Sequence, residues 1–492
     1  MPGSSHVTKQ SKKSNFLKIT LSIPANSADV AGWIRFLRQM KVSKIFARLT
    51  DKRQKGKICY SSSSLMHWAL SACAFRLGSK NALQTSLDHL SSEQSQGMFN
   101  CLEIDNKRFP HSSTVDHFLS HTSLEELQAI PFTLIKQLEE GKFFYNHLEL
   151  LPNNSLTIGC DGFWLHTYDH PHAANEDGLN ACPYCLPRTY FKGTDKETTR
   201  WVHVMITFVL ICQGLTLPLF VHPLKAGEVD PCQSDEKLKE ESELKAAHMI
   251  LPLIREKFPR AKITFLGDAL YANRPIIRLC EHLNIDYLIV LKDNNLKKLN
   301  SKCQELSKTD IYQKSYQFRD QLPCKEGTLH REAFWFNNVA AGEEVFTNVL
   351  KYQETIHKSN GASQAGYEGA WISSQKIKNT NCFKKTKIGR MRWNQEDFHN
   401  TGKNRGYEMT HDMARTRPHL LIAWKTISFI AYFLFELFQH TTFALTALKN
   451  RSLKRFAQNL FEQLVHMSWG IISQSPILKK QKVQFRYRFD SS

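Results

Sequence analysis

Two aspartates lie where the sequence otherwise predicts buried strands. Asp161 falls within TIGCDGFW, and Asp268 follows the apolar run ITFLG. A carboxylate at the edge of a hydrophobic sheet is costly unless it is paired or binds a metal. An aspartate at a strand end is also a common turn former or helix cap, which is the alternative for each acid alone. Together the two carboxylates could share a divalent cation, and their hard oxygens favour Mg²⁺ or Mn²⁺.

A third carboxylate, which a two-metal site would need, lies in the segment GRMRWNQEDFHNTGKNRGYEMTH over 389–411. Arg392, Glu396 and Lys403 follow one another at spacings of four and seven, so a helix places them on broadly one face. A glutamate between two cations also fits a salt-bridge ladder on a helix surface, and this is the alternative interpretation. Asp397 is a weaker candidate ligand, because one residue rotates it by about 100° away from that face.

A cysteine pair lies in the long segment that follows the first predicted strand. Cys182-Pro-Tyr-Cys185 has the two-residue gap of a zinc knuckle. No second pair of this kind follows, so histidines would have to complete the site: His203, or its neighbours in the sequence His166, His170 and His172. The alternative is a cysteine pair in a packed loop, with His203 as an ordinary strand residue. A redox role is disfavoured, because the pair does not open a helix after a strand.

The elements that would position these residues form a mixed pattern. From residue 156 the order is strand, strand, strand, helix, strand, helix, strand. The segments are 156–167, two runs within 201–221 joined at Gln213–Gly214, 236–258, 262–268, 274–284 and 285–293. A hairpin followed by alternating helices and strands predicts an α/β protein with a mixed sheet flanked by helices. In such a sheet the first and fourth strands can lie side by side, which would bring Asp161 close to Asp268.

Further units flank this sheet. The predicted units are a basic arm with an all-helical domain (1–150), the first part of the core (151–299), a β-rich insertion (300–378), the glutamate helix that completes the core (379–412) and a helical C-terminal region with a basic tail (413–492). The apolar stretch from Ile427 to Leu437 is too short to cross a bilayer, which needs about 18–20 residues. It predicts a buried helix, and no membrane partner is expected.

Positive charge is concentrated in three parts of the chain. The 492 residues include 65 Lys and Arg against 46 Asp and Glu, a net charge of +19. Residues 1–60 hold 13 of these cations against Asp29 and Asp51, and further basic blocks lie in 371–420 and in the tail. Such blocks are typical of a polyanion-binding surface, and nucleic acid is the commonest partner of this kind. Solvated basic tails are the alternative.

The N-terminus and the cysteines both indicate a reducing compartment. The first residues, MPGSSHVTKQSKKS, are polar and basic and do not predict a secretion signal. Twelve cysteines are scattered with one close pair, which favours free thiols over a disulfide framework. We therefore expect a cytoplasmic protein associated with nucleic acid.

The segment RWNQEDFHNTGK, with Arg392-x3-Glu396-x6-Lys403, is similar to the tyrosine-arginine-glutamate-lysine signature of insertion-sequence transposases with an Asp-Asp-Glu triad. The GDALYAN around Asp268 resembles that family's second-aspartate motif, Asp161 lies in a first-strand context, and a β-rich insertion precedes the glutamate helix as in this branch. The resemblance covers roughly 110–450. The signature's tyrosine would fall at Gly389, so its contact with the transposon end is missing or supplied elsewhere.

This resemblance implies a ribonuclease-H-like core that cleaves DNA and joins strands at the ends of an insertion sequence. Asp161, Asp268 and Glu396 would be the catalytic residues and the ligands of two Mg²⁺ or Mn²⁺ ions. The DNA-binding cations would be Arg390, Arg392, Lys403 and Arg405. The implied partners are double-stranded DNA, as terminal inverted repeats and as target, and a second copy of the chain in a homodimeric complex.

Two other functions fit the same residues. A related metal-dependent endonuclease or resolvase would use the three carboxylates without strand transfer. A catalytically silent DNA-binding protein, derived from a transposase, would keep the acids for structure only. Cleavage that depends on a divalent cation separates the silent protein from the two enzymes.

Overall fold

The computed structural model describes residues 27–101, 108–172, 182–226, 235–309, 316–407, 409–411, 413–414, 417–448, 451–466, 469–479 and 485. The beginning of the predicted basic arm and nearly all of the predicted basic tail lie outside the described residues.

Before the sheet begins, the described chain folds into nine helices. These are α1 Ser27–Gln39, α2 Val42–Phe46, α3 Ser62–Ala74, α4 Lys80–Asp88, α5 Ser92–Cys101, α6 Ser112–His121, α7 Leu124–Gln128, α8 Ile130–Glu140 and α9 Phe143–Asn146. Serine caps begin α3, α4 and α7, where the side chains of Ser61, Ser79 and Ser123 each accept a hydrogen bond from a backbone N–H of the first turn. Such caps satisfy donors that a helix cannot pair internally.

One large sheet forms the centre of the molecule. Its strands are β1 Leu156–Tyr168, β2 Leu186–Tyr190, β3 Thr198–Cys212, β4 Leu215–Pro223, β5 Ile263–Gly267, β6 Asp286–Val290, β7 Gln317–Cys324, β8 Gly327–Gly342, β9 Val345–Lys358 and β10 Ser363–Ser373. They pair in the order β2-β3-β1-β5-β6-β10-β9-β8-β7, and β4 also pairs with β3. The β1–β5 and β5–β6 pairs are parallel and the others are antiparallel. The prediction of a mixed sheet is confirmed.

Helices cover both faces of this sheet. The helices after β4 are α10 Asp235–Lys257, α11 Arg274–His282, α12 Lys297–Ser307, α13 Cys382–Arg390, α14 Trp393–Asn404, α15 Pro418–Gln439, α16 Thr442–Ala447, α17 Leu453–His466, α18 Trp469–Gln474 and α19 Pro476–Lys479. Successive residues of a strand point to opposite faces. Gly159 of β1 abuts Gln395 of α14, whereas Cys160 lies 3.0 Å from the hydroxyl of Tyr271, which in turn contacts Glu243 of α10. Helices α14 and α10 therefore lie on opposite faces.

The predicted insertion differs from its expected form in two ways. Its first residues belong to α12, which ends at Ser307, so the segment is not β-rich from residue 300 onward. Leu299 and Cys303, four residues apart on this helix, are both buried, which is helical periodicity. The second difference is that the insertion is not a separate unit: its four strands, β7 to β10, extend the central sheet, because β10 pairs with β6.

Helix α15 is the buried helix that the apolar segment predicts. At 22 residues the helix is longer than the predicted apolar stretch, so the expectation that this segment is too short to cross a bilayer is wrong: it is the one helix among the described residues that is long and apolar enough. Its predicted burial is confirmed, because 94% of its apolar window lies inside the fold. It packs against α3 on one side and β4 on the other. The ammonium group of Lys425 donates hydrogen bonds to the backbone carbonyls of Met409 and His411, which satisfies its charge. The helix therefore joins the N-terminal helices to the sheet.

A buried aspartate fixes this junction. Asp116 of α6 is 4% exposed. Its carboxylate accepts hydrogen bonds from the indole N–H of Trp424 at 2.9 Å and from Arg417 at 2.9 Å, and it forms an ion pair with Lys80. The partners come from α4, from α15 and from the residue directly before α15. One carboxylate thus connects three segments that are distant in the sequence.

Asp116→Ala is expected to lower the free energy of unfolding by about 3 kcal/mol. This is the low end of the range for breaking a buried ion pair, because the guanidinium of Arg417 is half exposed and regains water. The measurement is urea unfolding of the full chain. Asp88→Ala, an exposed acid on α4, is the control and should change stability by no more than about 0.5 kcal/mol. Equal losses in the two variants would contradict a stabilising role for the network.

Candidate functional site

Asp161 lies on β1, and Asp268 directly follows the adjacent parallel strand β5. In the β1–β5 ladder Gly159 is opposite Leu266. Continuing this register by two residues places Asp268, which directly follows β5, beside Asp161. Asp161 lies two residues after Gly159, and Asp268 lies two residues after Leu266. Because residues two apart on a strand point to the same face, this register directs both acids to the α14 side. Neighbouring strands are about 4.8 Å apart, so the predicted approach of the first and fourth strands is confirmed.

Both acids also make local hydrogen bonds. An oxygen of Asp161 accepts from the backbone N–H of Gly162 at 2.8 Å. An oxygen of Asp268 accepts from the backbone N–H of Leu270 at 2.9 Å and so caps a short 3-10 turn. The structural role that the sequence left open for Asp268 is therefore present. An ionised carboxylate has about four acceptor positions, so a local hydrogen bond does not by itself prevent it from binding other partners.

Helix α14 covers the face that carries the two acids. Gln395 donates to the backbone carbonyl of Thr207 at 3.1 Å, and the Nε2 atom of His399 lies 2.9 Å from the Thr207 hydroxyl. The Nδ1 atom of His399 lies 3.7 Å from an oxygen of Asp161. Sequence reasoning missed His399. The available signal was its position three residues after Glu396, which places both side chains on one side of a helix.

Glu396 lies one helical turn before His399, the residue whose ring lies beside Asp161. Its side chain is 36% exposed and forms an ion pair with Arg392 at 2.7 Å. This pair is part of the salt-bridge ladder considered as the alternative, which gives that interpretation direct support. Among the described residues, the three carboxylates do not form a group whose oxygens all lie within 4.8 Å of one another. Glu396 would have to turn away from Arg392 to share metal ions with both aspartates.

Two predicted DNA-binding cations lie at the ends of α14. The guanidinium of Arg392 lies 5.2 Å from the centre of the Trp393 ring. The ammonium group of Lys403 lies 4.9 Å from the centre of the Phe163 ring on β1, two residues beyond Asp161. Cations are attracted to the faces of aromatic rings, which holds these two groups in place. A positive charge therefore lies at each end of the helix that covers the aspartates.

The other two predicted cations have different surroundings. Arg390, at the end of α13, forms an ion pair with Glu354 at 2.8 Å and lies 4.3 Å from the centre of the Tyr367 ring. Arg405 follows α14 with an exposed side chain, and its backbone carbonyl accepts a hydrogen bond from Arg76. Arg390 is thus held by an acid and an aromatic ring of the insertion, whereas Arg405 extends into solvent.

Gly389, which stands where the signature has tyrosine, is packed against a tryptophan. A Cβ atom at residue 389 would lie 2.5 Å from Nε1 and 2.6 Å from Cε2 of Trp371 on β10. The indole of Trp371 is fully buried and therefore cannot swing into solvent. A tyrosine does not fit at 389 while the tryptophan occupies this place, so packing requires the glycine.

The predicted cysteine and histidine site is a compact cluster. The four side chains of His172, Cys182, Cys185 and His203 are buried, and their ligand atoms all lie within 4.8 Å of one another. The sequence indicated both cysteines and His203, and of the three neighbouring histidines it offered, the structure places His172 in the cluster. The other two nearby histidines are exposed. Two thiols and two imidazoles could hold a metal ion, and this set of ligands suits zinc better than Mg²⁺.

Hydrogen bonding within the cluster favours the thiolate form of one cysteine. Hydrogen bonding lowers the pKa of Cys182 to about 3, chiefly through Cys185 and also through the two histidines, against the opposing effect of burial. Buried cysteines elsewhere behave in the opposite way, since burial raises the pKa of Cys212 to about 12. The thiolate is the form of cysteine that binds metals.

Comparisons of the sequence with protein-family models and with curated proteins give no match. The resemblance of the segment around Glu396 to a transposase signature therefore stays a prediction.

Gly389→Ala is expected to lower the free energy of unfolding by about 1–3 kcal/mol, because the added methyl group overlaps the Trp371 indole. Thermal or urea unfolding of the full chain measures this loss. Gly56→Ala is the control, since a Cβ atom there would meet nothing within 4 Å. A Gly389→Ala protein as stable as the control would show that Trp371 can move and that a larger side chain is tolerated.

Proposed function

We propose that the chain is a DNA transposase that cleaves and joins DNA strands in a reaction dependent on divalent metal ions. The observation that carries this proposal is the level placement of Asp161 and Asp268 on one face of the sheet, beneath the helix that carries Glu396. Adjacent carboxylates are the ligands that Mg²⁺ and Mn²⁺ prefer. Asp268 also follows the carboxyl end of a parallel strand, where open α/β sheets usually bind their ligands.

The topology supports the ribonuclease-H-like core that the resemblance implies. Three long strands pair antiparallel in the order β4-β3-β1, and β5 and β6 follow in parallel on the other side of β1. Helix α14 then returns to pack on β1 and β3 after the insertion. The first carboxylate would lie on the central strand β1 and the second on its parallel neighbour.

Each side chain of the site would have a definite role. Asp161 and Asp268 would hold one Mg²⁺ or Mn²⁺ ion between them, and Glu396 would complete a second site. Such ions, when bound, supply an activated water or 3′-hydroxyl and stabilise the leaving oxygen of an in-line displacement. Glu396 would leave Arg392 on binding metal, which would release the guanidinium to bind a DNA phosphate through two hydrogen bonds. Lys403 would bind a neighbouring phosphate as a point charge.

The charge distribution supports DNA as the partner. The net charge of +19 provides the sequence-independent attraction that positions a protein on a duplex. The partners proposed here are terminal inverted repeats and target DNA, bound by a homodimer in the cytoplasm. A related endonuclease or resolvase would use the same residues and would differ only in the absence of strand joining.

A catalytically silent DNA-binding protein is the second candidate. Two observations favour it: the ion pair of Glu396 with Arg392, and the capping bond that Asp268 makes at the end of β5. Each gives an acid of the triad a structural partner. The two candidates differ in whether the protein cuts DNA when Mg²⁺ or Mn²⁺ is added.

Asp161→Ala, Asp268→Ala and Glu396→Ala are each expected to abolish cleavage that depends on Mg²⁺. The loss should exceed the ~100-fold expected for a group that only supports a metal ligand. The assay follows nicking of a supercoiled plasmid that carries the DNA flanking the gene on both sides. Binding of the same DNA, measured by fluorescence anisotropy, should stay within about twofold of wild type, because phosphate contacts dominate affinity.

Asp397→Ala is the matched control for this experiment, because Asp397 is an exposed acid directly beside Glu396. It should cut as fast as wild type. If Glu396→Ala also cuts at the wild-type rate, Glu396 belongs to the salt bridge and not to a metal site. A wild-type protein that binds the plasmid but cuts it with neither cation is the silent protein.

Arg392→Ala and Lys403→Ala are each expected to weaken DNA binding and to reduce its salt dependence. Loss of one phosphate contact lowers the slope of log affinity against log salt by about 0.9. The measurement is a titration of the full chain with duplex DNA at several salt concentrations. Lys302→Ala is the control, since this exposed lysine on α12 pairs with Glu305. A slope equal to that of the control would place Arg392 in the ion pair with Glu396 even when DNA is bound.

A further inference from the structure

We propose that His172, Cys182, Cys185 and His203 bind one Zn²⁺ as a closed structural site. This site is separate from the carboxylates on the same sheet, so it does not depend on whether the chain cuts DNA. Its support comes from the spacing of the four ligand atoms, the orientation of the imidazole rings and the segments that the four residues connect.

The spacing of the ligand atoms suits a tetrahedral zinc ion. With Zn–S bonds of about 2.3 Å and Zn–N bonds of about 2.0 Å, neighbouring ligand atoms lie ~3.3–3.8 Å apart. Cys182 Sγ lies 3.6 Å from His203 Nε2, within this range. Cys185 Sγ lies 3.0 Å from the same nitrogen and 3.1 Å from His172 Nδ1. A shift of Cys185 by a few tenths of an ångström would bring all three distances to the values expected around zinc.

The imidazole rings are oriented for metal binding. The ring of Tyr168 stacks on that of His172 at 5.6 Å between centres and lies 5.3 Å from that of His203. The nitrogens near the sulfurs are His172 Nδ1 and His203 Nε2. The outward nitrogens of both rings are buried and have no hydrogen-bond partner within the described part of the chain. Among the described residues, each ring therefore hydrogen-bonds only to the cysteines. The nitrogen that would bind a metal ion thus points toward the two sulfurs.

The ligand types and their burial decide the metal and its role. Thiolate and imidazole together select zinc among the common cations, whereas Mg²⁺ and Ca²⁺ require oxygen ligands. Four protein ligands complete the tetrahedral shell, so no position is left for a substrate or a reactive water. All four side chains are also buried. These features indicate a structural ion and not a second catalytic centre.

Zinc would add a link between segments that strand pairing already brings together. His172 lies shortly after β1, Cys182 and Cys185 directly precede β2, and His203 lies within β3. The turn between the cysteines also accepts a hydrogen bond at its Pro183 carbonyl from the backbone N–H of Ala226, at 2.7 Å. The ion would thus fix the start of the β2–β3 hairpin against the end of β1. Strand β2 is only five residues long and needs such an anchor.

The decisive measurement is the metal content of the full-length protein, purified without added metal or chelator. We expect about one zinc per chain by inductively coupled plasma mass spectrometry. Exchange of zinc for Co²⁺ should give the visible bands of tetrahedral cobalt together with the near-ultraviolet charge-transfer bands of thiolate ligands. Removal of zinc by a chelator should lower the melting temperature of the protein, because binding energy of a structural ion is also folding energy.

Cys185→Ser and His203→Ala should lose most of the zinc. The matched controls are Cys59→Ser, at an exposed cysteine, and His170→Ala, at an exposed histidine of the same loop. Both controls should keep about one zinc per chain. If the first two variants do not fold, the cobalt spectrum of the wild-type protein decides, since it needs no substitution.

Three results would overturn the proposal. The first is a folded wild-type protein that contains no zinc and gives no tetrahedral cobalt spectrum. The second is a disulfide between Cys182 and Cys185 in the purified protein, detected by mass spectrometry. The third is a Cys182→Ser, Cys185→Ser double variant that still holds about one zinc per chain.

Discussion

The parallel register between β1 and β5 is the constraint on which the candidate site depends. Gly159 is opposite Leu266, and this register, continued by two residues, would set Asp161 and Asp268 level and on the same face. A slip of one residue would turn Asp268 to the other face of the sheet, where the apolar side of α10 packs. The buried residues of both strands specify this register, since a slip would also expose them.

The two faces of the sheet differ in their electrostatics, and this difference explains why the acids lie where they do. On the α10 face the hydroxyl of Tyr271 contacts Cys160 and Glu243. Burial, reinforced by the neighbouring acids, raises the pKa of Tyr271 and of Cys160 well above their usual values, so both stay neutral. A further carboxylate on that face would add uncompensated charge. On the α14 face the acids meet a histidine and a positive charge at each end of the helix, which can balance them.

Local patterns predicted the strands that carry the acids, and long-range packing decided the rest. The apolar runs of β1, β3, β4 and β5 are nearly continuous because these strands are buried on both faces, so the sequence predicts the strands and the adjacency of β1 and β5. Strand β2 is short and partly polar, and it forms only because it pairs with the exposed end of β3. The overlap of Gly389 with Trp371 and the choice of His172 over the other nearby histidines depend on residues that are distant in the sequence. No local pattern encodes such contacts.

The two proposed metal sites could coexist because their ligands differ in softness. His203 and Thr207 lie four residues apart on β3 and therefore on the same face, separated by about 13 Å. Thr207 contacts the histidine that lies beside Asp161, so the Cys/His cluster and the carboxylates share one surface of the sheet.

Zinc binds thiolate and imidazole far better than carboxylate, whereas Mg²⁺ prefers oxygen. A zinc ion held by the cluster would therefore not compete for the aspartates, and it would stiffen the strand pair on which Asp161 and Thr207 lie. Rigid strands matter for the proposed carboxylate site, because Glu396 would have to leave its ion pair with Arg392 to join the aspartates.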